Sequence, residues 1–277
     1  HHNHADEYMA SGLPFALHFD DVYNNATAKE VEFPYVTRWI QVYAHAQDIR
    51  VGFTLNGVNG NPTNNFIVIA DCKDKKGFVK VGNQNVVEAR LTDAEFFWNR
   101  NKSQSLVKQV SKLKKINYFK GLGSYFDKIQ RVRKLSGIIS DELLISKEKI
   151  EIASSICKVD LMSDLVNEFP ELQGVMGGYF AREQGFDEEI SLAVSEHYLP
   201  SGPDSRVPKK PYSIALSLGD KIDTLVGFFG INLKPTSSKD PYALRRVAIG
   251  IIRIIIENKK NFKIRDLISY SNDIYLD

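Results

Sequence analysis

Hydrophobic and polar positions change their period along the chain. From residue 13 to about 70 the pattern is that of strands. EFPYVTRWIQVYA alternates in part and is rich in aromatic and β-branched residues, and QDIRVGFTLNG follows it. The pairs Asn56-Gly57 and Asn59-Gly60 are hairpin-turn signals. NNFIVIADC is a short continuous apolar run of the kind a buried strand shows. Gly77 and Gly82 then break the chain into short pieces. From Val86 onward the spacing turns helical through Leu91, Ala94, Phe97 and Trp98. Thr92 is the expected N-cap, and Glu95 completes a capping box. Phe96, Phe97 and Trp98 have the faces to stack on bases, but a stripe of this kind reads first as core.

From Ser105 the pattern predicts helix almost throughout. SLVKQVSKLKKINYFKGLGSYFDKIQRVRKLSGIISDELL is amphipathic and basic. KEKIEIASSICKVDLMSDLVNEFPEL reads as one long helix, with Ile152, Ile156, Val159, Leu161, Leu165 and Val166 as its apolar face and Pro170 as its stop. On that helix Asp160, Asp164 and Glu168 share a face. Gly174, Gly177 and Gly178 permit a tight bend or a close helix approach. FDEEISLAVSEHYL is a helix ended by Pro200, with His197 at its C-terminus, where the helix dipole favours a protonated ring. Two strongly apolar helical patterns then flank a polar loop between residues 212 and 257. The first carries Asp220, Lys221 and Asp223 in its middle, and the second is opened by Lys239, Asp240, Arg245 and Arg246. A buried charge is costly unless paired or used, so this stretch is the candidate centre of the molecule. VGFFGI, residues 226–231, is core or interface. The expected class is α+β, with a β-rich domain over residues 13–104 and a mostly α-helical domain over 105–277.

Composition adds limits. A chain of 277 residues has room for one large domain or two ordinary ones. Its net charge of +2 announces no nucleic-acid binder in bulk, yet Lys108, Lys112, Lys114, Lys115, Lys120, Lys128, Arg131, Arg133 and Lys134 crowd one span. Tyr118, Phe119, Tyr125 and Phe126 are interleaved with them. That mixture suits contact with a phosphate backbone; a solvated helix face is the alternative. The two cysteines, Cys72 and Cys157, have no metal-type spacing and fit a reducing, cytoplasmic compartment. No run approaches the roughly 20 apolar residues of a membrane span. Residues 1–12, polar and His-rich, read as a tag or scar, and the abrupt end reads as a truncation. The triad Asp160, Asp164 and Glu168 suits a divalent metal or acid–base work, or a solvent face, or partners for Lys and Arg. No GxGxxG or P-loop spacing occurs.

Several segments together resemble the β subunit of the bacterial heterotetrameric glycyl-tRNA synthetase. They are NVVEARLTDAEFFWN, CKVDLMSDLVNEFPELQGVMGGYFAR, SEHYLP, LSLGDKIDTLVGFFGI and KPTSSKDPYALRRVAIGIIRII. The resemblance runs from about Asn64 to the C-terminus and leaves residues 13–63 unmatched. It implies the end of a B3/B4-like region followed by an HD-like helical domain. It also implies a role in holding transfer RNA for glycine and in supporting a separate catalytic α subunit, which uses ATP with magnesium. This part of the chain would hold no catalytic centre and no cofactor of its own. HD hydrolases hold metal with imidazoles and aspartates. Here Asp220 matches the late aspartate, Phe119 stands at the early histidine position, and Lys158 and Asp160 lie on the helix where the His-Asp pair belongs. Without imidazoles no metal is expected. An ionic lock of Asp160 and Asp220 with Lys158, Lys221 or Arg246 is expected instead. Gly219 departs from the alanine common in the family, and a helical glycine costs about 1 kcal/mol. The tRNA-binding candidates are Lys112, Lys114, Lys115, Lys120, Arg131, Arg133, Lys239, Arg245 and Arg246. The competing readings are a metal-dependent HD-type phosphohydrolase and a purely structural subunit-docking module.

Overall fold

The computed structural model describes residues 76–237 and 239–276. The β-rich expectation over residues 13–75, and Cys72 with it, lies outside the described residues. The chain divides into two units, residues 1–99 and 100–277. In the first, the described part is helical and not β. One helix, α1, runs Phe78–Asn101 and ends inside the second unit. Gly82 does not interrupt it. No neighbour approaches that glycine, and a single helical glycine costs too little to break a helix of this length. Thr92 is not a cap but an interior residue, its hydroxyl donating to the Glu88 carbonyl at 2.8 Å. Of the aromatic trio, Trp98 is buried and Phe96 exposed.

The second unit is a helical assembly with one small hairpin. Helix α2 (Leu106–Gln109) passes into a 3-10 turn, Val110–Lys115. Ser105 caps α2 by accepting the Lys108 amide hydrogen. Strands β1 (Asn117–Phe119) and β2 (Gly123–Ser124) pair antiparallel, within a stretch expected to be helical almost throughout. Gly121 and Gly123, at φ of 88° and 80°, make the turn that an L side chain would resist. Helix α3 (Tyr125–Leu143) then starts on a capping box between Ser124 and Asp127.

Helix α4 (Lys147–Ile156) is short. The long helix expected through Glu168 is instead α4, a 3-10 turn (Val159–Met162) and α5 (Asp164–Glu168). Two caps at the start of α5, one local and one distant in sequence, explain the break. Ser163 accepts the Val166 amide hydrogen at 3.1 Å, and the Asn101 side chain accepts that of Leu165 at 3.1 Å. A second 3-10 turn begins at Pro170. Helices α6 (Val175–Glu183) and α7 (Glu188–Glu196) form a close hairpin. Gly178 permits it, since a Cβ there would meet the Ser191 carbonyl oxygen at 2.7 Å.

Helix α8 (Pro211–Gly230) is the axis of the unit, and α3, α4, α7, α9 (Leu244–Glu257) and α10 (Ile264–Leu276) all pack against it. Its buried Ile214, Leu216, Leu218 and Ile222 meet a core shared with Ile129, Val132 and Leu135 of α3, Ile150 of α4, and Val194 of α7. At the other end Phe228 and Leu244 close over Leu122, with Tyr118 and Phe119 of the hairpin packed around them. Phe228 is core while Phe229 is exposed, so the 226–231 run divides between core and surface. Among the described residues no helix is long and apolar enough to cross a membrane.

Candidate functional site

The charges in the middle of α8 are buried, and they are paired from two directions. Lys128 of α3 sends its Nζ between two carboxylates, 3.2 Å from Asp220 Oδ1 and 3.0 Å from Asp223 Oδ2. It also donates to the Thr224 hydroxyl at 2.8 Å. Lys158, at the turn after α4, reaches the same Asp220 oxygen at 3.1 Å. Arg131, one turn beyond Lys128, donates from Nε to Asp223 Oδ1 at 2.7 Å. Aromatic faces line the cations: Tyr198 under Lys158 at 3.8 Å, Tyr118 under Lys128 at 4.6 Å, and Tyr275 under Arg131 at 4.3 Å. Lys221 points the other way and donates to the Tyr198 carbonyl at 2.9 Å.

Burial works against the Asp220 carboxylate, but the ammoniums of Lys128 and Lys158 outweigh it and hold its pKa well below the usual range. Burial likewise opposes the Lys128 charge, and Asp220 and Asp223 together push its pKa well above the ordinary value. Lys158 has one carboxylate against complete burial, and burial draws its pKa down. Burial lowers Lys221 to about 8. His197 is buried at the end of α7, its Nδ1 bonded to the Val194 carbonyl at 2.6 Å. Burial first, and then Lys158, keep its pKa well below the usual histidine value. The ring is neutral, contrary to the dipole expectation. The Cys157 thiol is buried and pushed up to about 12, so it is no nucleophile.

The four positions compared with HD hydrolases part company. Lys158 and Asp220 meet as expected. Asp160 does not join the lock: its carboxylate accepts the amide hydrogens of Gly174 and Gly177 and fastens the start of α6. Burial raises its pKa to about 6. Phe119 lies in the apolar cluster, 4.9 Å from the Phe228 ring and 5.3 Å from that of Tyr242. Arg246 is exposed and takes no part. The expected face of Asp160, Asp164 and Glu168 is split, because the helix is broken between Asp160 and Asp164 and only Asp164 and Glu168 remain together on α5. These residues do not fit a metal. The oxygen that would ligate a cation carries two ammoniums, and among the described residues no group of three His, Cys, Asp or Glu side chains is placed to hold one.

The basic candidates sort by exposure. Lys112, Lys114 and Lys115 on the 3-10 turn and Lys120 on the hairpin are exposed, as are Lys239, Arg245 and Arg246. Arg133 is exposed but pairs with Glu151 at 2.6 Å. Arg131 is a correction, since its guanidinium is committed to Asp223 and largely shielded. Lys128, read with the surface cluster, is core. Its signal was in the sequence: Lys128, Val132, Leu135 and Ile139 recur at helical spacing, which places the lysine on the apolar stripe. Before α9, Asp240 accepts the amide hydrogens of Leu244 and Arg245 at 2.8 and 2.9 Å, so it caps the helix and Arg245 and Arg246 follow the cap.

The chain matches relatives across most of its length. A family model described as "Glycyl-tRNA synthetase beta subunit" matches residues 43–276. The match therefore begins upstream of Asn64 and takes in part of the stretch left unassigned in the sequence. The glycine–tRNA ligase beta subunit of Pseudomonas syringae pv. syringae (strain B728a) is 41% identical over 226 residues, covering 81% of this chain and 33% of that protein. That of Stutzerimonas stutzeri (strain A1501) is 39% identical over 226 residues, with the same coverage of 81% and 33%. That of Rhodospirillum centenum (strain ATCC 51521 / SW) is 41% identical over 211 residues, covering 74% of this chain and 30% of that protein. The chain spans about a third of the length of the curated relatives it matches. It belongs to the glycyl-tRNA synthetase beta subunit family.

Proposed function

We propose that the chain is an RNA-holding part of a glycine–tRNA ligase β subunit, with an HD-like helical domain that no longer does HD chemistry. In this reading it grips transfer RNA for glycine and supports a catalytic α subunit in the cytoplasm. ATP and magnesium serve the whole enzyme through that partner, and this chain alone does not aminoacylate. The observation that carries the reading is the division of charge. Asp220 is neutralised by Lys128 and Lys158 inside the core, while Lys112, Lys114, Lys115 and Lys120 stand in solvent, Lys114 over the Phe126 ring. Exposed cations near aromatics serve RNA; a carboxylate sealed by lysines does not serve hydrolysis.

The test is a mobility-shift titration of the chain with transfer RNA for glycine across a salt series. Binding is expected to weaken by a slope of about 0.7–0.9 in log affinity per log salt for each phosphate contact. Replacing Lys112, Lys114 and Lys115 with Gln is expected to flatten that slope. Absence of binding even at low salt contradicts the reading. A second reading, docking to another subunit, rests on exposed apolar residues: Phe229 at 42%, and Ile249, Ile252 and Ile256 on α9 at 52%, 50% and 67%. It is checked by co-purification with the α subunit, with and without Phe229→Asp.

A further inference from the structure

A cleft of about 700 Å³ opens between the β1–β2 hairpin and the start of α3. It is of the size that holds a small organic ligand. Phe126 presents a half-buried ring whose face the Lys114 ammonium covers, 4.7 Å from the centroid, and the flexible lysine stem can yield that face to a base. Lys120 comes from the hairpin turn and Asn117 from β1, and Phe119 also lines the cleft. Gly121 and Gly123 line the cleft without side chains, which lets a ligand approach the backbone. Asp127 also lines it, but its carboxylate is spoken for: it accepts from the Ser124 amide at 2.8 Å and from the Ser124 hydroxyl at 2.7 Å. Two cations, one aromatic face and one amide therefore converge on a single space, alongside one carboxylate that the start of α3 holds in place and that keeps its charge.

We propose that this cleft seats one unpaired nucleotide of an RNA strand, with the base stacked on Phe126, the flanking phosphates on Lys114 and Lys120, and the base edge within reach of Asn117. The proposal rests on the RNA-holding reading and adds a place and a conformation to it. A π-face is what every base offers, and stacking on an aromatic side chain serves unpaired bases only. A duplex keeps its bases stacked on one another and leaves Phe126 unused. The cleft should then discriminate between strands of equal charge by pairing state, which exposed lysines alone do not.

Fluorescence anisotropy with the full chain tests this, using a short labelled single-stranded RNA, a duplex RNA of matched charge, and transfer RNA for glycine. Phe126→Leu is expected to lose about five-fold or more in affinity for the single strand, as loss of one stacked base does. Its affinity for the duplex is expected to stay unchanged. Lys120→Gln, on an exposed turn where folding is not at stake, is expected to weaken both probes and reduce the salt slope. Single-stranded RNA carrying 4-thiouridine is expected to crosslink on irradiation within residues 114–127 of the unaltered chain, a readout that does not depend on how any variant folds. Transfer RNA binding that is indifferent to Phe126→Leu, with no crosslink in that segment, overturns the cleft and leaves the RNA-holding reading standing. Failure of the unaltered chain to bind any of the three probes overturns both.

Discussion

Asp220 faces two ammoniums, and that asymmetry ranks the buried residues. Removing one partner of a buried ion pair strands the other and costs about 3–5 kcal/mol. Asp220→Ala strands Lys158 outright, while Lys128 keeps Asp223. Lys158→Met leaves Asp220 on Lys128 and places an apolar stem where an apolar stem already lay. Urea unfolding is therefore expected to show the full loss for Asp220→Ala and a clearly smaller one for Lys158→Met; equal losses would contradict this order. Lys221 makes a pH-dependent case. Its folded pKa of about 8 lies below the unfolded value of about 10.4. Between the two the unfolded chain holds more protons, so this group's contribution to stability rises with pH there. Below about pH 8 the burial cost is fully present. Relative to Lys221→Met, the unaltered chain is expected to gain stability from about pH 8 to about pH 10.5, by about 3 kcal/mol if the full shift is expressed. A difference that is flat across that window would show that Lys221 keeps its proton.

At the scale of elements, α8 shows why a helix accepts a glycine in its middle. A Cβ on Gly219 would lie 2.3 Å from the Ser136 hydroxyl of α3, and that hydroxyl donates to the Ala215 carbonyl at 3.4 Å. The close approach of α3 and α8 offsets the propensity cost. Gly219→Ala alone is expected to be near neutral, because the helix gains about 1 kcal/mol and the serine must turn away. Combined with Ser136→Ala it is expected to stabilise by up to about 1 kcal/mol, so the thermal melts of a double-mutant cycle should be non-additive. The same elements mark what the sequence made legible. α8 and α9 were readable because an apolar stripe repeats along each of them at 3.6 residues. The break of α4 before α5 was not, because Asn101 supplies one of its caps from far away in the chain. The β1–β2 hairpin escaped as well, its strands being too short to show a period. α1 begins at Phe78, before the Val86 from which the spacing turns helical, because Gly82 lies inside a helix of ordinary formers that tolerates it, whereas Gly77, at φ of 73°, stands outside it.

Across the described residues, charge is divided by depth. Its inner part, Lys128, Arg131, Lys158, Asp220 and Asp223, joins α3 and the turn after α4 to the axis helix. Its outer part, the lysines of the 110–115 turn and the hairpin, faces solvent. The sequence showed that α8 carried charges in a core position, and the resemblance put Lys158 among three candidate partners for Asp160 and Asp220. It hid the role of Lys128 and Arg131, since local basic density looks the same whether a side chain turns in or out. It also hid Asp160 as a clamp on α6, because its partners are backbone amides that no residue type announces. In the proposed reading, the Asp220 carboxylate that the HD resemblance puts at a metal is closed instead by Lys128 and Lys158. Elemental analysis of the purified chain, freed of its His-rich N-terminus and dialysed, tests that most directly, alongside thermal melts with and without chelator. The expected result is no stoichiometric manganese, iron or magnesium and an unchanged melting temperature in chelator. Stoichiometric metal that is lost in Asp220→Asn, together with phosphatase activity lost in the same variant, would contradict it.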